Sequence, residues 1–326
     1  MSKDILAQAE TQIASIHSAD NPAAVYLAGL APTSRRVMEN ALRTILRLLL
    51  KQEVDHYAVL AASWPALRYQ HTQAIRAQLL EADYSAGSVN RMLAALRGVL
   101  KECWRLGLMS AEDYRRAVDL KPARGETIPA GRDLGQGEIL ALVGACNADA
   151  NTVGGIRDAA IIGLLYTGGL RRAELVALDL ADINRSTGAI KVTGKGNKQR
   201  LVYAIDGAWA ALQDWLAARG DPPGKLFLPV NKGGQITYSR GLTAQTVYDL
   251  LKRRAAQAGV RDFSPHDFRR TFVGDLLDRG VDIVTVQKMA GHASVTTTGR
   301  YDRRGEQVKQ QAAAKLHFPY QRRRWD

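Results

Sequence analysis

The chain has 326 residues, 46% of them apolar and 24% charged, a composition that folds and that excludes a disordered polar segment as its main character. Its 45 Lys+Arg against 32 Asp+Glu leave a net charge of +13, which calls for a polyanionic partner, either nucleic acid or an acidic membrane surface. Only two cysteines occur, Cys103 and Cys146, in no metal-ligand spacing, which argues against a disulfide scaffold or zinc fingers and fits a reducing cytosol.

Length suggests two domains. Charge divides unevenly between them: residues 1–120 hold 14 Lys+Arg and 12 Asp+Glu, and the remainder holds 31 and 20. The start, Met1-Ser2-Lys3-Asp4, lacks a basic stretch followed by an apolar one, so no signal peptide is expected. The most apolar run, residues 159–166, is about a third of a membrane span. A soluble, cytoplasmic, nucleoid-associated protein is the expectation.

Over residues 33–52 the apolar Leu42, Ile45, Leu46 and Leu49 recur at helical spacing, and Arg36, Asn40, Arg43, Arg47 and Lys51 recur at steps of three or four. Residues 88–106 repeat the arrangement, with Val89, Leu93, Leu96, Leu100 and Cys103 inward and Asn90, Arg97, Lys101 and Arg105 outward. A third helical pattern covers residues 64–81 and a short fourth covers 110–118. Each charged stripe reads either as a solvated helix face or as a surface lying against a DNA backbone. Residues 1–120 are therefore expected to form an all-helical domain. Residues 121–132, with two prolines, two glycines and no apolar period, read as a linker.

The second domain is expected over residues 133–326. Helical patterns cover 135–146 and 156–166. After a turn at 184–188, a strand at 189–193, a tight turn at 194–198 and a returning strand at 199–204 make a hairpin. Helices follow at 206–219 and 243–259, with shorter ones beyond. The fold class expected is mainly α: a helical domain, then a mixed α/β but mostly helical domain with a small β-sheet.

Four segments of this second domain carry reactive side chains. Arg171 follows a double glycine at a helix start, where backbone N–H groups and a guanidinium fork both favour phosphate, although a structural ion pair fits as well. Lys195 stands between two glycines at a hairpin tip. His266 and Arg269 lie three apart, on one face of a helical turn. His292 follows Gly291 in a pattern that also reads as a helix C-cap, and Tyr301 comes nine residues later. Singly, each of these signals has a bland reading.

Taken in order, Gly-Leu-Arg171-Arg-Ala-Glu174-Leu, Thr-Gly-Lys195-Gly-Asn-Lys, His266-Asp-Phe-Arg269, Gly-His292 and Thr-Thr-Gly-Arg-Tyr301 resemble the tyrosine site-specific recombinases, the family of phage integrases, Xer proteins and Cre. The resemblance covers nearly the whole chain. Phe268 and Arg270 stand where many members have Leu and His, at positions without a catalytic role.

The resemblance implies a core-binding (SAM-like) domain in residues 1–120 and a DNA breaking-rejoining catalytic domain in 133–326. It also implies that a C-terminal segment, about residues 303–326, packs as a helix onto a neighbouring subunit. The expected partner is double-stranded DNA carrying an inverted-repeat site, met by a homotetramer that is a monomer or weak dimer off DNA, with no membrane. By the same resemblance Tyr301 attacks the scissile phosphate and becomes a 3′-phosphotyrosine, freeing a 5′-hydroxyl.

A free tyrosine has a pKa of about 10, so its attack at neutral pH needs assistance. His266 is the expected proton acceptor, Arg171 and Arg269 the clamp on the non-bridging oxygens, and His292 a further donor to phosphate. Lys195 is expected to protonate the leaving oxygen, and Glu174 to orient the arginine or histidine rather than bind metal. No metal and no cofactor are expected, because no Gly-x-x-x-x-Gly-Lys-Ser/Thr stretch and no ligand cluster occur. DNA-backbone contacts are expected from Arg36, Arg43, Arg47, Lys51, Asn90, Arg97, Lys101 and Arg105. Two other readings stand beside a recombinase: a type IB-like topoisomerase, and a sequence-specific DNA-binding protein without catalysis.

Overall fold

A computed structural model describes residues 20–125, 131–305, 310, 313–317 and 319–320. The chain divides into two compact units between Pro129 and Ala130.

The described part of the first unit is helical: α1 Pro22–Ala28, α2 Pro32–Leu50, α3 His56–Ala61, α4 Tyr69–Glu81, α5 Ala86–Arg105 and α6 Ala111–Val118. Local chemistry sets the helix starts. Asn21 Oδ1 accepts from the backbone of Ala23 and Ala24 at 3.0 Å, Ser85 and Ser110 cap α5 and α6, and Pro32 opens α2, where its missing N–H leaves no bond unmade. Leu42, Ile45 and Leu46 of α2 bury with Val89, Leu93, Leu96 and Leu100 of α5 in one apolar core. Trp64 joins it fully buried, its indole N–H donating to the Val59 carbonyl at 2.8 Å.

The helical pattern over 64–81 resolves into two pieces, a 3-10 turn at Trp64–Ala66 and then α4. Leu67 and Arg68 between them are extended, and the His71 ring accepts the Arg68 backbone N–H at 3.0 Å, so α4 starts afresh with its own cap. Helices α1 and α3 escape sequence reasoning because 7 and 6 residues are too few to display a period.

The expected linker is pinned at both ends. Asn90 accepts from the Ala123 N–H at 2.8 Å and donates to its carbonyl at 3.0 Å, and Arg76 donates to the Lys121 carbonyl. At the far end Arg132 N–H donates to Asp267 Oδ1 at 3.1 Å, and Leu134 N–H to Thr271 Oγ1 at 2.9 Å. Residues 126–130 fall outside those described.

The second unit contains α7 Gln136–Asn147, α8 Thr152–Thr167, α9 Arg172–Ala177, β1 Ala189–Thr193, β2 Gln199–Tyr203, α10 Asp206–Arg219, α11 Ala244–Gln257, α12 Pro265–Asp278, α13 Ile283–Ala290 and α14 Val295–Gly299. Strands β1 and β2 pair antiparallel, from Ala189 opposite Tyr203 to Thr193 opposite Gln199. Helix α8 is the centre of the core: Ile161, Ile162, Leu164 and Leu165 are buried among Leu142 of α7, Leu212 and Trp215 of α10, and Leu250 and Leu251 of α11. It begins four residues before the apolar period does, because Asn151 caps it. A smaller cluster joins Phe272, Val273 and Leu277 of α12 to Val286 and Ala290 of α13.

The helix expected over residues 308–316 falls largely outside the described residues. Among the described residues no helix is long and apolar enough to cross a membrane.

Candidate active site

Arg171 is the N-cap residue of α9, and Glu174 stands at its third position. The Glu174 carboxylate accepts the Arg171 backbone N–H at 2.9 Å and the Arg171 guanidinium at 2.6 Å, so one acid both caps the helix and holds the arginine. Glu174 is 5% exposed. Burial works against its charge, but hydrogen bonds from Arg200 and from the Arg171 backbone hold its pKa below the usual carboxylate value.

Arg200 is a participant that sequence reasoning missed. From β2 it donates to both Glu174 oxygens, at 3.2 and 2.8 Å, and through Nε to the Met289 carbonyl at the end of α13 at 3.0 Å. A signal was present: Arg200 shares a strand face with buried Val202, two residues on, and an arginine on the core side of a hairpin requires a carboxylate.

Helix α12 brings in the next pair. Pro265 opens it and the Asp267 carboxylate caps the Ser264 N–H at 2.7 Å, which places His266 and Arg269 on its first turns. Arg269 is 1% exposed; its Nη1 donates to the Gly169 carbonyl at 2.7 Å, and its buried Nη2 has no hydrogen-bond partner among the described residues. Burial, then the like charge of Arg171, lower its pKa to about 10, which leaves it charged at neutral pH. Gly169 sits at φ 56°, against the Phe272 ring, so only glycine carries the chain past α12 here.

Gly291 ends α13 in the left-handed region at φ 63° and turns the chain so that His292 enters the site. His292 is 8% exposed, with Nδ1 2.9 Å from Thr298 Oγ1 and its ring stacked on Tyr301, centroids 5.9 Å apart. Desolvation, followed by the charges of Arg269 and Arg171, brings its pKa down to about 4.

The Tyr301 hydroxyl lies 3.0 Å from His266 Nε2. His266 is lowered as well, first by desolvation and then by Arg269, with Asp267 offsetting part. A neutral imidazole beside a phenol is the arrangement that accepts a phenolic proton. Arg171, Glu174, His266, Arg269, His292 and Tyr301 thus converge, although 130 sequence positions separate the first from the last. Lys195 belongs to the 3-10 turn Lys195–Asn197 between β1 and β2, and its side chain lies outside what is described. Among the described residues no group of three or more His, Cys, Asp or Glu is placed to hold a metal ion.

The eight basic-stripe residues of the first unit separate into two kinds. Arg43 donates to the Val54 carbonyl at 2.7 Å, Arg97 to those of Val118 and Leu120, and Asn90 holds Ala123. These three satisfy backbone carbonyls of their own unit. Arg36, Arg47, Lys51, Lys101 and Arg105 are exposed, Arg47 and Arg105 in surface pairs with Glu53 and Glu102 at 3.1 and 3.0 Å.

The sequence pattern of the phage integrase family matches residues 132–307. The tyrosine recombinase XerD of Pseudomonas aeruginosa is 37% identical over 228 residues, which cover 68% of this chain and 72% of that protein. XerD of Yersinia pestis is 32% identical over 294 residues, 86% and 92% of the two chains. The Tn1549 transposon integrase in complex with transposon right-end DNA shares the fold with a TM-score of 0.66 at 15% identity, covering 90% of this chain and 98% of that one. XerH bound to its palindromic difH substrate does so with 0.60 at 21%, covering 82% and 74%. A buried Arg269 with Arg171 beside it and a histidine-paired tyrosine, set within a match of this extent, place the chain in the phage integrase family, the tyrosine site-specific recombinases.

Proposed function

We propose that the second unit cuts and rejoins DNA through Tyr301, on a scissile phosphate seated between Arg171 and Arg269. The observation that carries this reading is the buried Arg269 Nη2, an N–H without an acceptor among the described residues, beside the Tyr301–His266 pair. A non-bridging phosphate oxygen supplies the missing acceptor, and two guanidinium forks neutralise the charge that builds up at phosphorus.

In the forward step the Tyr301 oxygen bonds to phosphorus, its proton passes to His266 Nε2, and the bond from phosphorus to the 5′-oxygen breaks. Lys195 delivers a proton to that oxygen, leaving a 3′-phosphotyrosine and a 5′-hydroxyl. His292 donates to the phosphate, and Glu174 keeps Arg171 in place. The reverse sequence with a different 5′-hydroxyl joins new partners. The phosphotyrosine bond retains the energy of the phosphodiester, so the exchange proceeds without ATP or metal.

The first unit lies along the DNA backbone through Arg36, Arg47, Lys51, Lys101 and Arg105, with Arg43, Asn90 and Arg97 shaping that surface from within. Four subunits act on two short inverted-repeat sites. A segment within residues 303–326 of each subunit docks on the next one, in an apolar cavity of about 890 Å³ beside β2 lined by Ile162, Leu201, Tyr203, Ile205, Phe272 and Leu276. Leu201, Tyr203 and Ile205 at its rim are all more than half exposed, and so is Leu316 in the tail. These surfaces match in chemistry.

The test is incubation with DNA flanking the protein's own gene, a quench in SDS, and a search for a protein–DNA adduct beside Tyr301→Phe. An adduct lost in the variant supports the mechanism, and one that survives overturns it. Joining between two DNA molecules at one defined site separates a recombinase from a topoisomerase. A chain ending at Gly305 is expected to bind DNA yet fail to form the four-subunit complex, read by light scattering.

A further inference from the structure

The three residues after Tyr301 are tied to α12 in a way that the chemistry of strand cleavage does not require. The Arg303 guanidinium crosses α12 and pairs with the Asp133 carboxylate through one nitrogen, while the other lies 3.6 Å from Asp278. Arg270 lies 3.5 Å from the second oxygen of Asp133, so that carboxylate stands between two arginines from different segments. Arg304 donates to the Leu277 carbonyl at 3.0 Å and is held from behind by Asp302.

Glycine at position 274 leaves the room that Arg303 uses to cross the helix. A Cβ there would come within 2.2 Å of Arg303 Nη2. Glycine inside a helix is less favourable than alanine, and this one is buried within a 14-residue helix. The vacant side-chain volume is occupied by the guanidinium.

We propose that Asp133, Gly274 and Arg303 form a latch that holds the Tyr301 segment on α12 and so sets the fraction of time that Tyr301 spends beside His266. This rests on Tyr301 being the nucleophile. Asp133 directly follows Arg132, whose N–H is bonded to Asp267, the neighbour of His266. The latch therefore ties the tyrosine segment to the point where the chain enters the second unit. Asp133, Gly274 and Arg303 are positioning residues; none touches the phosphate.

The test separates positioning from folding, because Gly274→Ala removes a helix-interior glycine and the atom it displaces is the far end of a flexible side chain. The melting temperature of Gly274→Ala is expected to be unchanged or higher. Hydrogen exchange of the full-length protein is expected to quicken at the amides of residues 299–304, by about fivefold or more, the scale of losing a half-exposed ion pair. Arg303→Gln and Asp133→Asn are expected to give the same change, and the double variant no more than either alone.

On a cleavable DNA site, all three single variants are expected to form the Tyr301 adduct more slowly by that same factor, with unchanged DNA affinity. Unchanged exchange at 299–304 in Gly274→Ala, or additive effects in the double variant, would overturn the latch. Wild-type protein that gives no adduct on a site it binds would overturn the nucleophile assignment instead, and the exchange result would still judge the latch.

Discussion

Two buried arginines of the second unit, Arg254 at 0% exposure and Arg269 at 1%, have pKa values shifted in opposite directions. Burial disfavours the charge of Arg254, but Asp158 and Asp149 more than offset it and raise its pKa. Its guanidinium reaches Asp158 at 2.9 and 2.7 Å, Asp149 at 2.6 Å, and Gln257 and the Ala145 carbonyl besides. Asp158 also takes Arg157 and Arg253, so both partners of the central pair are saturated.

Around Arg269 the balance is reversed. Arg171 and Arg200 pair with Glu174, whose charge also acts on Arg269, two neutral histidines stand beside them, and among the described residues one buried N–H of Arg269 has no acceptor. The first cluster is complete in itself and belongs to the core; the second is short of one anion. That deficit marks the site more clearly than burial does, since both clusters hold a buried arginine.

The comparison can be broken most severely from the saturated side. Asp158→Asn removes the charge that compensates Arg254 and should cost about 3–5 kcal/mol of stability, the usual penalty for leaving a buried charge unpaired. Urea unfolding monitored through the tryptophans is the check. Glu174→Gln should destabilise less, because Arg171 is half exposed and retains water as a partner and Arg200 keeps the Met289 carbonyl.

From the unsaturated side, Arg269→Lys should slow adduct formation by about 10²–10³, the scale for losing one preorganised donor to a developing charge. It should cost less stability than Asp158→Asn, because the charge is kept and no counter-ion is stranded, with the Gly169 hydrogen bond as the contact at risk. A large stability loss here would make Arg269 a core residue like Arg254 and remove its special status.

How much of this the sequence displayed follows from the same physics. Helices α2 and α5 are legible because one-sided burial over 19 and 20 residues leaves a period in the apolar positions. Arg171, His266 and Tyr301 are legible through their flanking motifs. The strand pattern shows only that Arg200 needs a carboxylate, and nothing marks Asp133, since their partners, Glu174 and Arg303, lie 26 and 170 positions away and no local pattern encodes such a pairing. Nor could the sequence sort the basic stripes: Arg43 and Arg97 have the spacing of surface residues, and only the fold shows the carbonyls they serve.

His292 gives a smaller, pH-dependent difference between the clusters. Its pKa is about 4 in the folded chain against about 6.5 unfolded, so between those values the unfolded state binds the extra proton. Stability from this group is complete above pH 6.5 and is lost as pH falls toward 4, by an amount on the order of 2–3 kcal/mol. His292→Gln should flatten that part of the profile, and sulfate, by neutralising the nearby arginines, should raise the folded-state pKa of His292 and so make the loss smaller.

The finest distinction concerns Arg200, which resembles Arg254 in geometry but serves the unsaturated cluster. It spans three segments, reaching both oxygens of Glu174 from β2 and the Met289 carbonyl before His292. A lysine keeps the charge and reaches one of these acceptors, because an ammonium lacks the fork that meets two oxygens in one plane. Arg200→Lys should therefore leave DNA affinity unchanged and lower the rate of adduct formation about tenfold, equivalent to about 1.4 kcal/mol at the transition state. The double variant with Glu174→Gln should be no slower than Glu174→Gln alone, since both act through the placement of Arg171. Independent, multiplying losses would instead mean that Arg200 meets the phosphate itself and counts among the anion-binding arginines.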